Sequence, residues 1–390
     1  MWYRLPPVGD RISLAGGRGR ARDIEGLFEP YRLRLFHSGT AALAAAVMAA
    51  MARKPTTAPE VLLPAYACPD LVSAILHAGA KPVLVDLEHH TPWLDQTQLL
   101  EKINAQTVAI IGVNFLGIEE RMAGLYAISR ESGITLIEDS AQCLVEPADE
   151  TCTRGDFIIQ SFGRGKPASV LGGGAVLWRD PMLDAYLPEA ASVNTSDPVG
   201  SVSASLKIML YNALLTPYLY GVVDRLPFLR IGETRFKVLE TIQAASVQVT
   251  SRLSTNIQRY RDRQGHAQQW LEDMIGRIHR VQIVDLAHLS AQSTRLRLLR
   301  YPLLVTDADL RERLYFALRQ AGLGVSRMYP VPLPEISGLS ARLGDPGLYP
   351  QAQSFAGGLL TLPTHQGVRR RHVAKMEAII LQVCATQGAH

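Results

Sequence analysis

Between about Ser38 and Val176, short apolar runs alternate with longer stretches of helical period, the pattern of a parallel sheet joined by crossover helices. The strand candidates are Val61–Leu63, Pro82–Val85, Val108–Val113, Ile134–Ile137 and Phe157–Ser161, and their apolar continuity predicts burial on both faces. Helix candidates lie between them over Thr40–Ala52, Asp70–Ala78 and Arg121–Ser132. The last two are followed by Gly79 and Gly133, the residue type that ends helices in a left-handed turn. In sheets of this kind ligands sit beyond the carboxyl ends of the strands, so the residues at and just after each strand are where chemistry is to be sought.

The chain changes character further on. From about Ser201 to Leu271 the period is helical, and the stretch includes a candidate for a long helix linking two domains. After Ile278 come an apolar run over Leu296–Val305, a helix candidate over Asp307–Ala321, a proline-rich loop around Tyr329–Pro334 and a closing helix over Val368–Gln382. The fold class expected is α/β: a large domain over residues 1–255 with a mixed, mostly parallel sheet flanked by helices, and a smaller α+β domain over 256–390. The apolar segment Ile208–Val223 is shorter than a bilayer span and contains Asn212 and Pro217. It reads as a core or subunit-interface helix, with a peripheral membrane contact as the alternative.

Composition narrows the classes without choosing one. A 390-residue chain with 47% hydrophobic and 19% charged residues is that of a folded globular protein. Its formal charge of +4 and scattered arginines give no basic and aromatic stripe, so nucleic-acid binding is not expected. The N-terminal residues lack an apolar run suited to secretion, and export is not expected. Cys68, Cys143, Cys152 and Cys384 show no CxxC spacing, which fits reduced thiols in a cytoplasm and argues against a zinc site.

Three places carry candidate chemistry. Glu138-Asp139-Ser140-Ala141-Gln142 follows a buried strand, and an aspartate there suits pairing with a protonated pyridine nitrogen, which keeps a cofactor ring an electron sink. After the next strand comes Ser161-Phe162-Gly163-Arg164-Gly165-Lys166, then Gly172-Gly173-Gly174. A lysine on such a loop reaches an aldehyde, provided burial and neighbouring positive charge, with Arg164 as the candidate, keep its amine neutral. Ser38-Gly39-Thr40 opens a helix whose free N–H groups suit a phosphate, and Ser161 adds a hydroxyl. Singly these read as an N-cap, a turn residue and a solvated lysine. Their joint order points to pyridoxal 5'-phosphate.

Across nearly its whole length the chain resembles the DegT/StrS family of pyridoxal-phosphate-dependent sugar aminotransferases, of the aspartate-aminotransferase fold type. The resemblance is densest from Phe36 to Val176. It rests on Ser38-Gly39-Thr40, Pro64-Ala65-Tyr66, the run Gly79-Ala80-Lys81-Pro82-Val83-Leu84-Val85-Asp86, Glu138-Asp139-Ser140-Ala141-Gln142, and Ser161-Phe162 to Lys166. Leu360-Thr361-Leu362-Pro363-Thr364-His365 resembles the family's closing motif. The resemblance implies that Lys166 bonds the cofactor and shuttles the proton, that Asp139 pairs with the ring nitrogen, and that Gln142 lies against the ring or its hydroxyl. Ser38, Gly39, Thr40 and Ser161 would hold the phosphate, with Tyr66 and Cys68 beside the ring.

The chain departs from the family pattern at four places. Cys68 stands where an aromatic often stacks on the cofactor, and Asn114 where a histidine is frequent. Leu171-Gly172-Gly173-Gly174 replaces Gly-Glu-Gly-Gly, and Gly232-Glu233-Thr234-Arg235-Phe236 occupies the place of the Gly-Tyr-Asn-Tyr-Arg segment that the neighbouring subunit contributes. Asn114, Arg327 and Tyr329 are the substrate candidates, Arg327 by bidentate contact with an acidic or phosphorylated group. The function this implies is amino transfer from a donor such as glutamate to a nucleotide-linked keto sugar, in a cytoplasmic homodimer. A non-sugar carbonyl acceptor and a non-catalytic regulatory or assembly role are the alternatives.

Overall fold

The computed structural model describes residues 3–16, 21–146, 154–191, 198–226, 234–278, 282–290, 297–343 and 347–385. Cys152, Gly232, Glu233 and Leu296 lie outside the described residues. Seven strands form the main sheet: β1 Arg32–Phe36, β2 Glu60–Pro64, β3 Lys81–Val85, β4 Thr107–Val113, β5 Thr135–Asp139, β6 Phe157–Ser161 and β7 Gly174–Trp178. Their spatial order is β1-β7-β6-β5-β4-β2-β3. The run from β6 through β5, β4 and β2 to β3 is parallel, whereas β7 lies antiparallel to both β6 and β1. The sheet is thus mixed and mostly parallel, as the apolar runs predict. β4 and β5 are buried at every position, which explains why their sequences do not alternate.

Helices Gly39–Arg53, Pro69–His77 and Met122–Glu131 match the expected ones to within a residue or two. The first is alanine-rich and buries nearly its whole length between sheet and neighbours. Gly79 and Gly133 end the other two with φ of 86° and 62°. The helical stretch after 200 is broken into Pro198–Leu214, Pro217–Val223, Val247–Arg261 and His266–Arg277. The division expected after residue 255 falls inside Val247–Arg261, a helix whose Leu253, Ile257 and Tyr260 pack in one core cluster.

The C-terminal part carries a three-stranded antiparallel sheet, ordered β10-β9-β8, from β8 Ile283–Asp285, β9 Arg300–Val305 and β10 Leu359–Pro363. Helix Ala308–Gln320 packs on it, and Arg370–Ala385 packs against Ala308–Gln320 and His266–Arg277. Asp307 caps the first by accepting from the Leu310 N–H at 2.8 Å. Among the described residues no single helix is long and apolar enough to cross a membrane. The pair Val202–Leu214 and Pro217–Val223 has the length and composition together but is bent by 93°.

Candidate active site

The cleft opens where β5 and β6 end. Asp139 is the last residue of β5 and Ser161 the last of β6, so both sit at the carboxyl edge that the parallel topology marks. The cleft is lined by Gly39, Thr40, Cys68, Asp139, Gln142, Ser161 and Lys166, together with Asp70 and small apolar neighbours. Seven of the residues singled out in the sequence therefore meet in one place, although they span positions 39 to 166.

Each wall has a local cause. Ser38 caps the helix Gly39–Arg53 by accepting from the Ala41 N–H at 3.1 Å, and its carbonyl takes the Ala42 N–H at 3.1 Å. The Thr40 N–H and hydroxyl are left without a partner among the described residues. Gly39 has no substitute here: a Cβ on it would lie 2.7 Å from Ser161 Cβ and 2.8 Å from Ser161 Oγ. Helix start and serine hydroxyl close on each other only because that atom is missing. Ser38 itself spends its hydroxyl on the cap and does not line the cleft.

Asp139 is 6% exposed, and its Oδ1 accepts from the Ala141 N–H at 2.9 Å. Its other oxygen carries no hydrogen bond among the described residues. Burial raises its carboxyl above the ordinary aspartate value, an effect that the Lys166 charge opposes. Lys166 is half-buried; its backbone N–H donates to Gly163 O at 3.2 Å, and its amine makes no hydrogen bond or ion pair among the described residues. Arg164, expected beside that amine, is exposed, and its charge acts on Tyr211 instead.

The remaining candidates divide. Gln142 is fixed at both ends: its Oε1 accepts from Leu116 N–H at 2.8 Å and its Nε2 donates to the Tyr329 hydroxyl at 3.2 Å. Tyr329 comes from the C-terminal part of the chain with φ of 44°, and its side chain lies beside that of Cys68. Desolvation pushes the Cys68 thiol up to about 12, so it is a neutral group at the cleft edge. Tyr66 does not line the cleft. Its hydroxyl donates to the carbonyls of Met328 and Tyr329, and its ring packs edge-on against Phe115, Tyr329 and Phe355.

Asn114 is fully buried and does not line the cleft either. Its Nδ2 donates to Glu138 Oε1 at 2.9 Å and Ser140 Oγ at 2.8 Å, and its Oδ1 accepts from Glu120 N–H at 2.9 Å. Both its amide hydrogens and its oxygen are engaged in a buried network. Arg327 lines a separate cavity and pairs with Glu312 at 2.8 Å. Asp70 is the cleft residue that sequence reading misses. In the first turn of a helix with proline at its start, it reads as a helix-start residue.

A buried carboxylate at a strand end, a lysine whose amine has no partner among the described residues and a helix N-terminus thus meet in one α/β cleft, at the strand edge where ligands bind in such sheets. Residues 35–380 match the DegT/DnrJ/EryC1/StrS aminotransferase family, and the chain belongs to that family. It is 30% identical over 185 residues to the UDP-N-acetyl-3-dehydro-alpha-D-glucosamine 3-aminotransferase of Acidithiobacillus ferrooxidans, a match covering 46% of this chain and 49%, about half, of that enzyme's length. It is 27% identical over 308 residues to the erythromycin biosynthesis sensory transduction protein EryC1 of Saccharopolyspora erythraea, covering 78% of this chain and 73% of that one. Among solved structures, DesI in the presence of its TDP-sugar product superposes with a TM-score of 0.70 over 100% of this chain and 94% of that one; at 19% identity the likeness is one of fold.

Proposed function

We propose that the chain is a pyridoxal-phosphate-dependent aminotransferase, moving an amino group from a donor such as glutamate to the carbonyl of a nucleotide-linked keto sugar. The observation that carries the reading is the pairing, in one cleft, of an unpaired lysine with a buried, half-satisfied aspartate. The cofactor is tested on the residues present, and they fit it. The Gly39 gap brings the Ser161 hydroxyl against a helix start whose Thr40 donors are free, which suits a phosphate. The open oxygen of Asp139 suits a ring N–H.

When bound, pyridoxal phosphate supplies an aldehyde that exchanges amines and a ring that withdraws electrons. Thr40 and Ser161 would hold its phosphate, and Asp139, ionised, would keep the ring nitrogen protonated. Gln142, locked between Leu116 and Tyr329, holds one edge of the cleft in place. Lys166 would carry the covalent attachment, and its Nζ would take and return the substrate proton. Buried Phe115 and Tyr66 behind the cleft help exclude water from that transfer.

The keto-sugar acceptor is drawn from the names of relatives, including the UDP-2-acetamido-2-deoxy-3-oxo-D-glucuronate aminotransferase of Pseudomonas aeruginosa, 31% identical over 135 residues. Amine transfer from glutamate to UDP-linked 3-keto sugars, against TDP-linked 4-keto sugars and simple ketones, tests it. Product from the first or second class supports the reading, and turnover of simple ketones alone would shift it to a non-sugar substrate. Two relatives bear regulatory names, EryC1 and the pleiotropic regulatory protein of Geobacillus stearothermophilus, which favours a non-catalytic role as the second reading. The unpaired Lys166 weighs against it. We also propose a cytoplasmic homodimer. Exposed Val202, Leu206, Leu210 and Tyr218 offer apolar surface for such an interface, and light scattering of the purified protein tests it.

A further inference from the structure

A second, larger cavity of about 250 Å³ lies beside the cleft and shares no lining residue with it. Segments remote in sequence build it, Thr234 among them. The N-terminal strap supplies Arg4 and Leu5, the end of Pro217–Val223 and the turn after it supply Tyr220 and Asp224, and the C-terminal part supplies Arg319 and Arg327. The strap is pinned by Leu5 N–H to Gly322 O at 2.9 Å and Arg4 N–H to Pro217 O at 3.0 Å. Gly322, at φ 73°, is required there: a Cβ would lie 2.5 Å from Tyr3 O.

The charge around this cavity does not balance. Asp224 is shared by Arg4 and Arg319, the latter at 3.2 Å, and Glu312 is shared by Arg327 at 2.8 Å and Arg311 at 2.6 Å. A fifth guanidinium, Arg300, has no carboxylate partner among the described residues. It donates to Ser326 Oγ, which lines the cavity, at 2.5 Å, and its buried Nε has no partner among the described residues. Among the described residues, five guanidiniums thus meet two carboxylates, leaving three positive charges at or directly behind the wall. Burial lowers the pKa of Arg300 and of Arg311, the signature of cations held without enough compensating charge. Tyr315, under the Arg327 guanidinium at 4.2 Å, and Tyr220 provide aromatic surface beside the charge.

We propose that this cavity is a diphosphate-binding site, with Arg319 and Arg327 forking onto the phosphate oxygens and Arg300 reinforcing them through Ser326. A single carboxylate would offset one of three charges, whereas a diphosphate offsets nearly all, and planar guanidiniums match phosphate oxygens in pairs. The site adjoins the cleft through one residue. Arg327 and Pro330 line the cavity on either side of Tyr329, whose hydroxyl meets Gln142 and whose side chain meets Cys68. The diphosphate belongs either to a nucleoside diphosphate group of the acceptor, which would deepen the reading above, or to a free oxyanion.

Titration calorimetry with inorganic pyrophosphate tests this on the whole chain, with and without saturating pyridoxal phosphate. The wild type should bind one equivalent, weaken as salt rises, and lose at least tenfold in affinity in both Arg319→Gln and Arg327→Gln. Each variant leaves its carboxylate paired with one remaining arginine, Arg4 or Arg311, so both should fold, as their circular dichroism will report. The visible absorption of bound pyridoxal phosphate should be unchanged in both, which separates failure here from failure of the cofactor assignment. Uridine diphosphate binding more tightly than pyrophosphate assigns the site to a nucleotide, and equal affinity assigns it to a free oxyanion. No saturable binding by the wild type, or undiminished binding by both variants, overturns the proposal.

Discussion

Glu138 and Asp139 are adjacent on one strand and are both buried, yet they face opposite fates. Glu138 is fully enclosed and saturated: Arg154, Asn114 and Ser140 all reach its Oε1 at 2.9 Å, and Gly155 N–H reaches Oε2 at 3.2 Å. Asp139, turned to the other face of the sheet by the alternation of a strand, has one N–H on one oxygen and a cleft before the other. The first is a carboxylate whose charge the fold has neutralised. The second is a carboxylate whose desolvation the Ala141 N–H and the Lys166 charge offset only in part, which is the condition of a group that awaits a further cation.

The contrast breaks most visibly on the Glu138 side. Glu138→Ala leaves the buried Arg154 guanidinium with only the partly exposed Glu119 at 3.2 Å, and should cost about 3–5 kcal/mol of stability in urea unfolding. Asp139→Asn should do the reverse. It should weaken pyridoxal phosphate binding by about 1.5–3 kcal/mol, roughly tenfold to a hundredfold, through loss of one charge-assisted pair, and leave the ligand-free protein at least as stable as the wild type.

The pH dependence sharpens the same point. A raised aspartate pKa means that folding favours the protonated form. Its stabilising contribution is therefore present at low pH and lost as pH rises through the raised value. Ligand-free wild type should lose stability over that interval relative to Asp139→Asn, while cofactor affinity, which needs the ionised carboxylate, should fall as pH drops through it. Thermal unfolding and cofactor titration of both proteins across the acidic range measure this. A smaller effect is expected from Gly39→Ala: the new methyl meets Ser161, and overpacking costs about 1–3 kcal/mol, read as weaker cofactor binding with little change in secondary structure.

How far this pair was legible in the sequence differs by residue. The apolar run before Glu138 shows a buried strand, and its end locates the cleft, so the joint order of Asp139, Ser161 and Lys166 after successive strands marks them as cleft candidates. The parallel core is legible for the same reason. The antiparallel strands β1 and β7 are not, because Arg32–Phe36 alternates charged and apolar residues at the sheet edge and its partner is set by long-range pairing. Asn114 and Arg327 show the limit on the site side. Polarity and placement near a strand end or loop suggest substrate contact, but their partners Glu138, Ser140 and Glu312 come from tertiary packing. Nor does local pattern reveal the cavity with its unbalanced arginines, since Arg4, Arg300, Arg319 and Arg327 each look like a solvated surface charge.

The account rests on Lys166 and Asp139 serving one cofactor, and the visible absorption spectrum of purified protein with pyridoxal phosphate, before and after glutamate, measures that directly beside Lys166→Ala. The expected result is a band in the wild type that glutamate bleaches and that Lys166→Ala lacks, with the variant folded as the wild type is. A band of equal strength in both proteins, or none in either, would contradict the assignment of Lys166 and with it the aminotransferase reading.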